Sequence, residues 1–194
     1  MLAADGDYRF ICDVDLSMPI EEVIKFLSAA ASGYNINIAT REGKGAKRVG
    51  EPEYRHLMGR INNLIIKITA LPDFEDTQCG FKAFRRSAAQ VIFRLQTIER
   101  WGFDPEILFI AQKLGYEIRE VPVTWGHDER SRLSYLRDGM KMLEEMAIIR
   151  SNSLAGRYDK AIAEIRDTTS MVTHPVRLTP PVVAHTTPDS GATK

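Results

Sequence analysis

Short apolar segments alternate with segments of helical periodicity along residues 1–150 of the chain. Apolar runs too short for helices predict β-strands at residues 8–14, 36–40, 81–84 and 117–124. Apolar residues that recur every three or four positions predict helices at residues 19–33, 54–71, 87–95, 105–114 and 134–150. This alternation of strands and helices predicts an α/β fold with a mainly parallel sheet.

Three of the predicted helices carry an apolar stripe, and such stripes usually pack on a core. The stripes consist of Ile20, Val23, Ile24 and Leu27; of Leu57, Ile61, Leu64, Ile65, Ile68 and Leu71; and of Leu136, Met140, Leu143 and Ala147, widened by Met142, Met146 and Ile149. The last stripe also suits a helix on a membrane surface, but its balanced charges favour packing on the domain. Residues 151–166 are predicted to extend the helical region, and residues 167–194, which lack periodicity, to be disordered.

The composition excludes several classes of protein. Lys and Arg together number 26, as do Asp and Glu, so the formal net charge is zero and a nucleic-acid-binding protein is not expected. The two cysteines, Cys12 and Cys79, form no disulfide framework and are expected to be reduced thiols. The sequence has neither a run of about 20 apolar residues nor a signal peptide. These features predict a cytoplasmic protein, with peripheral attachment to a membrane as a further option.

Two carboxylates, Asp13 and Asp15, follow the first predicted strand directly. Enzymes with α/β folds bind their ligands at this edge of the sheet. Carboxylate oxygens suit Mg²⁺ or Mn²⁺, which would also bind the oxygens of a nucleotide diphosphate. Taken alone, the tripeptide fits a solvated turn that caps the next helix better than a metal site. A phospho-acceptor receiver domain is a weaker alternative, because only Asp5 and Asp7 precede the strand as an acidic pair.

A second polar segment, DTQCGFK at residues 76–82, leads into the third predicted strand. Gly80 allows a close approach of the backbone to a ligand, so the segment is a candidate ligand-binding loop. The alternative is an ordinary loop with a buried Cys79. The glycine-rich loop at residues 41–52 carries Lys44, Lys47 and Arg48, which would bind phosphates or lie solvated at the surface.

Together the two segments resemble the family-2 glycosyltransferases of the GT-A fold, in particular the dolichyl-phosphate (polyprenyl-phosphate) β-glucosyltransferases, with dolichyl-phosphate mannose synthases as more distant cousins. The resemblance extends in collinear order over roughly residues 1–150 and is specific because several blocks match. The matching blocks are DVDLSMP at 13–19, the positions Arg55, Gly59, Arg60 and Asn63, DTQCGFK at 76–82, GFDPEIL at 102–108 and GYEIREVPVTW at 115–125. The fold implied is a partial GT-A domain with a mixed sheet flanked by helices.

The resemblance implies an inverting transfer of a hexose from a nucleotide sugar, UDP-glucose or GDP-mannose, to a polyprenyl phosphate. It implies Mg²⁺ or Mn²⁺ at Asp13 and Asp15. It places Asp76, Arg60 and Glu106 as catalytic residues, and Asn63, Gln78, Arg130, Ser131 and Arg132 as substrate-binding residues. Arg132 stands where relatives often carry Lys, which keeps the charge but changes the geometry of the donors.

The carboxylate motif begins at residue 13, whereas relatives carry a nucleotide-binding half before it. The sequence therefore predicts an N-terminally truncated glycosyltransferase in which residues 1–150 are the C-terminal part of the GT-A domain. Two alternatives are a half-enzyme completed by a separately encoded partner chain and a non-catalytic fragment.

Overall fold

The computed structural model describes residues 1–15, 17–127 and 135–170. This part of the chain contains six strands: β1 (Tyr8–Cys12), β2 (Ile36–Thr40), β3 (Lys47–Val49), β4 (Phe81–Arg85), β5 (Ile118–Pro122) and β6 (Thr124–Gly126). Its helices are a 3₁₀ turn at Ile20–Glu22, α1 (Val23–Ala31), α2 (Glu53–Thr69), α3 (Arg86–Leu95), α4 (Phe103–Lys113), α5 (Tyr135–Leu154) and α6 (Arg157–Ser170). Helix α6 extends to Ser170, four residues into the segment predicted to be disordered, and residues 171–194 lie outside the described part.

The main sheet has four strands in the order β1-β4-β2-β5. Strand β4 lies between β1 and β2 and runs antiparallel to both, whereas β2 and β5 are parallel. The expectation of a mainly parallel sheet is therefore wrong, and the mixed sheet implied by the GT-A resemblance is confirmed. Because β4 runs against its neighbours, its amino end meets the carboxyl ends of β1, β2 and β5 at one edge. A separate parallel pair, β3 and β6, lies beyond this edge.

Helices cover both faces of the main sheet. On one face, α1 packs through Phe26 against Phe81, with ring centroids 4.9 Å apart. On the other face, a larger core holds Ile36 and Ile38 of β2 and Phe84 of β4. This core draws its helical members from α2 to α6: Ile66, Ile92, Ile107, Leu108, Ile110, Met142, Met146, Ile149 and Ile162. The predicted strands therefore form the middle layer of a three-layer α/β structure.

The helices bury different faces from those that the sequence pattern predicts. In α1 and the turn before it, Ile20, Ile24 and Leu27 are exposed, and Phe26, Ala29 and Ala30 are buried instead. In α5, Met140 and Leu143 are exposed while Met142, Met146 and Ile149 face the core. The buried side of each helix is the one whose residues fit against the sheet. Adjacent apolar positions are compatible with more than one buried side, so the sequence pattern alone does not select it.

Helix α2 shows this difference most clearly. Its apolar residues Leu57, Ile61, Leu64 and Ile68 are all exposed. Within the helix only Ile66 is buried, and Leu71 is buried just beyond its end. The polar side of α2 faces inward and lines a cavity.

Phe84 and Leu64 should respond differently to truncation. Phe84 is fully buried and packs edge-to-face on Phe93 at 5.1 Å, so Phe84→Ala should lower the free energy of unfolding by about 3–5 kcal/mol. Leu64 is 55% exposed, so Leu64→Ala should change it by no more than about 0.5 kcal/mol. Urea denaturation measures both values, and similar losses would contradict the assignment of the core.

Candidate functional site

A cavity of about 250 Å³ opens at the edge where β1 and β2 end and β4 begins. Strands β3 and β6 border it on one side through Arg48 and Trp125, and α2 borders it through Gly59 and Asn63. Its charged lining consists of Asp13, Asp15, Arg41, Glu42, Arg48, Glu51, Arg55, Asp76 and Asp138. The cavity is thus strongly polar, and the two motifs singled out in the sequence meet in it.

Asp13 and Asp15 both line this cavity directly after β1. The backbone N–H of Asp13 donates to the carbonyl of Gly80 at 3.0 Å, and Oδ1 of Asp15 accepts from the backbone N–H of Ser17 at 3.0 Å. Burial raises the pKa of Asp13, and the nearby charges of Asp15 and Asp104 raise it further. Neighbouring carboxylates of this kind are typical of a site that binds a cation.

Gly80 lies directly against the carboxylate of Asp13. A Cβ atom built at position 80 would overlap with the carboxylate of Asp13. Any other residue would therefore require this carboxylate to move, so glycine lets the side chain approach closely here.

Asp76 is buried and forms an ion pair with Arg41, the first residue after β2. The Arg41 guanidinium donates through Nε to Oδ2 at 2.7 Å and through a terminal nitrogen to Oδ1 at 2.9 Å, and the Arg41 backbone N–H donates to Oδ2 at 3.0 Å. Burial alone would raise the pKa of Asp76, but the charge and hydrogen bonds of Arg41 outweigh it and lower the pKa to about 2. Asp76 is therefore ionised at neutral pH, with its charge balanced by Arg41.

Glu120 of β5 holds the backbone at the start of the 76–80 loop. Its carboxylate accepts from the backbone N–H groups of Asp76 at 2.9 Å and Glu75 at 3.0 Å. Burial raises the pKa of Glu120 to about 7, although these hydrogen bonds lower it. The position of Asp76 thus depends on a carboxylate of β5, the strand that pairs with β2 on the side away from β4.

Lys82 of β4 holds the other end of the same loop. Its side chain is fully buried, and Nζ donates to the Cys79 carbonyl at 2.8 Å and to Oδ1 of Asp104 at 2.6 Å. A buried ammonium group needs such partners, so the ion pair fixes the loop against the start of α4.

Two arginines lie over the ring of Trp125, with guanidinium carbons 5.4 Å from the ring centroid for Arg41 and 5.9 Å for Arg48. Arg48 also forms ion pairs with Glu42 at 2.7 Å and Glu51 at 2.6 Å. The stacking on Trp125 and the ion pairs orient both guanidinium groups beside the cavity.

The structure brings five of the ten predicted site residues together: Asp13, Asp15, Asn63, Asp76 and Gln78 all line the cavity. Arg60 is not part of this lining. Its side chain is 59% exposed and donates to Glu42 at 3.2 Å, which places it at the rim. Arg130, Ser131 and Arg132 lie outside the described residues.

Glu106 lies away from the cavity and is fully buried. Its carboxylate accepts from the backbone N–H groups of Thr97 and Ile98 at 2.9 and 2.7 Å, and from the hydroxyl groups of Thr97 and Tyr158 at 2.6 and 2.8 Å. The structure thus places this predicted catalytic residue outside the cavity lining, with both oxygens engaged in joining α4 to residues 97–98 and α6.

Comparison with curated proteins finds several relatives named dolichyl-phosphate beta-glucosyltransferase. A protein of Trichomonas vaginalis named dolichyl-phosphate beta-glucosyltransferase ALG5C is 32% identical over 169 residues, which are 86% of this chain and 49% of the relative. The dolichyl-phosphate beta-glucosyltransferase of Saccharomyces cerevisiae is 28% identical over 79% of this chain and 50% of its own length. The human protein of the same name is 35% identical over 54% of this chain and 32% of its own length.

The chain is a homologue of the dolichyl-phosphate beta-glucosyltransferases, which are family-2 glycosyltransferases. It spans about half the length of the curated relatives that it matches over most of its own length. No protein-family model matches it. The predicted N-terminal truncation stays a prediction.

Several residues that line the cavity or hold its loop were not predicted from the sequence, namely Arg41, Glu42, Lys82, Glu120 and Trp125. Lys82 and Glu120 had a signal, since each is a charged residue in a predicted strand and lies within a block that resembles the family. No such signal marks Arg41, because the sequence does not indicate that the end of β2 faces the loop before β4.

Two other features are absent from the described part of the chain. No group of three or more His, Cys, Asp or Glu side chains there is arranged to hold a metal ion. No helix there is both long and apolar enough to cross a membrane.

Asp76→Asn should destabilise the protein strongly, because it leaves the Arg41 cation without a charged partner. We expect a loss of about 3–5 kcal/mol in the free energy of unfolding. Lys113 and Asp159 form an ion pair of the same length, 2.7 Å, with Asp159 62% exposed, so Asp159→Asn should cost less than about 1 kcal/mol. Urea denaturation compares the two variants, and equal losses would contradict a buried Asp76–Arg41 pair.

Glu120 should make stability depend on pH. Its pKa is about 7 in the folded protein against an ordinary value of 4.5, so the folded state binds more protons than the unfolded state between these values. The contribution of Glu120 to stability is therefore complete below pH 4.5 and is lost as the pH rises through 7. The loss has an upper limit of about 3 kcal/mol.

Glu120→Gln, which stays uncharged, should remove this part of the pH dependence. Urea denaturation of both proteins at several pH values gives the difference between their free energies of unfolding. The contributions of the other titrating groups cancel in this difference. Parallel pH profiles for the two proteins would show that Glu120 ionises normally.

Proposed function

We propose that this chain forms the acceptor-side part of a glycosyltransferase that transfers glucose from a nucleotide sugar to a dolichyl-type phosphate. One observation carries the proposal: Asp13 and Asp15 share a cavity with the buried Asp76–Arg41 pair, in a homologue of the dolichyl-phosphate beta-glucosyltransferases. The names of the relatives support glucose over mannose as the transferred sugar, and UDP-glucose and GDP-mannose are the two donors to compare.

The charge of the cavity supports a divalent cation at Asp13 and Asp15. Six carboxylates line its described part against three arginines, a formal excess of three negative charges. Such a lining repels a diphosphate unless a cation offsets the charge. The residues present fit Mg²⁺ or Mn²⁺, since Asp13 and Asp15 supply carboxylate oxygens and the remaining ligands would be diphosphate oxygens and water. When bound, the ion would stabilise the negative charge of the departing diphosphate.

In the proposed reaction, an oxygen of the acceptor phosphate forms a bond to the anomeric carbon of the sugar. The bond from that carbon to the nucleoside diphosphate breaks, and the diphosphate leaves with the electron pair, with inversion at the anomeric carbon. The acceptor phosphate is already ionised near neutral pH, so no protein group has to remove a proton. The protein's task is to position the two substrates and to stabilise charge.

Arg41 is the residue best placed to contact a phosphate. Asp76 and the ring of Trp125 orient its guanidinium group, and part of the group reaches the cavity. We assign Asp76 the task of holding Arg41 and shaping the loop, because its low pKa makes it a poor proton acceptor. Asn63 and Gln78 supply neutral hydrogen-bonding groups on two other sides of the cavity.

The first test measures the transfer of labelled glucose from UDP-glucose to a polyprenyl phosphate by the chain with Mn²⁺. Asp15→Asn should lower the rate of transfer at least tenfold, because one ligand of the cation is lost. A tenfold decrease corresponds to a rise of about 1.4 kcal/mol in the activation free energy. Gly80→Ala should do the same, because its methyl group displaces the Asp13 carboxylate. Gly59→Ala is the matched control, since Gly59 lines the same cavity with open space around it, and its activity should be unchanged.

Calorimetric titration with Mn²⁺ provides a second readout that does not require activity. Asp15→Asn and Gly80→Ala should weaken binding of the ion, and Gly59→Ala should not. Full activity and full affinity in Asp15→Asn would refute the metal site. Transfer only after addition of a separate nucleotide-binding chain would instead support the half-enzyme alternative, which the homologues do not favour.

A further inference from the structure

Trp101 presents an open aromatic ring to the cavity. It lies in the turn between α3 and α4, lines the cavity and is 41% exposed. Among the described residues, its side chain has no hydrogen-bonding, aromatic or cation–π partner. Trp125, the other tryptophan of the chain, also lines the cavity, but Arg41 and Arg48 lie over its ring. The ring of Trp101 is therefore available to a ligand, and such rings are common in the walls of ligand cavities.

The turn that carries Trp101 is anchored on two sides. The backbone N–H of Gly102 donates to the carboxylate of Glu145 in α5. A Cβ atom built at Gly102 would lie 2.7 Å from Cβ of Glu145, so the turn packs tightly on α5. Residues 97–98, just before the turn, are held by the buried carboxylate of Glu106 in α4. A ring on such a fixed turn loses little conformational entropy when a ligand binds.

Helices α2 and α5 supply polar side chains to the same cavity. Asn62 and Asn63 come from α2, and Asp138 comes from α5. The two helices meet here, since Oδ1 of Asn62 lies 3.6 Å from a Cβ atom built at Gly139. An aromatic ring together with amide and carboxylate groups fits a ligand that has an apolar face and a rim of hydroxyl groups. A hexose is such a ligand, because C–H bonds point above and below its ring and its equatorial hydroxyl groups point outward.

Two other parts of the substrates fit this lining less well. A prenyl chain would take the amide and carboxylate groups out of water without giving them hydrogen bonds. The nucleobase of the donor is separated from the diphosphate by the ribose, whereas the hexose is bonded to the diphosphate directly. A cation at Asp13 and Asp15 would hold the diphosphate in this cavity, and the hexose would then lie in the cavity as well.

We propose that Trp101 binds the transferred hexose, with its ring stacked on the C–H face of the sugar and with Asn62 and Asn63 as hydrogen-bonding partners of the sugar hydroxyl groups. This inference rests on the proposed function, to which it adds the place of the sugar in the cavity. Trp101 thus contributes to the affinity for the sugar part of the donor, while the acidic side of the cavity binds the diphosphate through the cation.

Calorimetric titration of the chain with UDP-glucose and with UDP, both with Mn²⁺ present, isolates the contribution of the hexose. Trp101→Ala should lower the affinity for UDP-glucose on the order of tenfold and leave the affinity for UDP unchanged. Trp101→Phe, which keeps an aromatic ring, should retain most of the affinity for UDP-glucose. Leu64→Ala truncates an exposed apolar side chain outside the cavity lining, and this control should bind both ligands like the unmodified chain.

Nuclear magnetic resonance of the indole N–H groups gives a direct readout, since the chain has only two tryptophans. The signal that disappears in Trp101→Phe identifies Trp101, and in the unmodified chain it should shift more strongly with UDP-glucose than with UDP. Steady-state kinetics of the transfer gives a third readout. Trp101→Ala should raise KM for UDP-glucose and leave KM for the polyprenyl phosphate unchanged.

The possible outcomes separate this inference from the proposed function. Equal losses of affinity for UDP-glucose and UDP in Trp101→Ala would overturn the inference, because the ring would then contact the nucleotide. A rise in KM for the polyprenyl phosphate alone would also overturn it and would place the prenyl chain on the ring. Unchanged affinity for UDP-glucose would overturn the inference and leave the proposed function intact. A selective loss of UDP-glucose binding in a chain that transfers no glucose would refute the proposed function and support the hexose contact.

Discussion

The buried ion pair between Asp76 and Arg41 is the interaction on which the site depends. It joins the end of β2 to the loop that precedes β4, two segments that are 35 residues apart in the sequence. A carboxylate and a guanidinium group that are both removed from water must remain paired, since either one alone is costly to bury. The pair therefore forces the loop to lie across the carboxyl end of β2, where it closes one side of the cavity.

The other contacts of the loop follow from this placement. Glu120 binds its first two backbone N–H groups, Lys82 binds the Cys79 carbonyl near its end, and Gly80 lets the Asp13 carboxylate approach. Each partner comes from a different strand, and the antiparallel insertion of β4 brings these strands together. A change at any one of them should reach the cavity through the loop, as is common where polar groups form a buried network.

Helix α2 connects the site to the exterior. Its polar side lines the cavity, so its apolar side faces outward. In most amphipathic helices the apolar side packs on the core, and in α2 this arrangement is reversed. The same reasoning does not apply to α5, whose inward side is apolar and completes the core through Met142, Met146 and Ile149.

The sequence by itself determined the positions of the four strands of the main sheet and of the helices to within a few residues, and its matching blocks were specific enough to indicate the glycosyltransferase family. It predicted a loop where β3 lies and a single strand where β5 and β6 are separate. It also singled out Asp13, Asp15, Asn63, Asp76 and Gln78, which the structure brings together at one cavity. Only the tertiary structure decided which side of each helix is buried, since adjacent apolar positions allow more than one phase. It also decided that Arg41 is the partner of Asp76 and that Glu106 is buried away from the cavity. Such partners depend on the order of strands in the sheet, which local patterns of polarity do not encode.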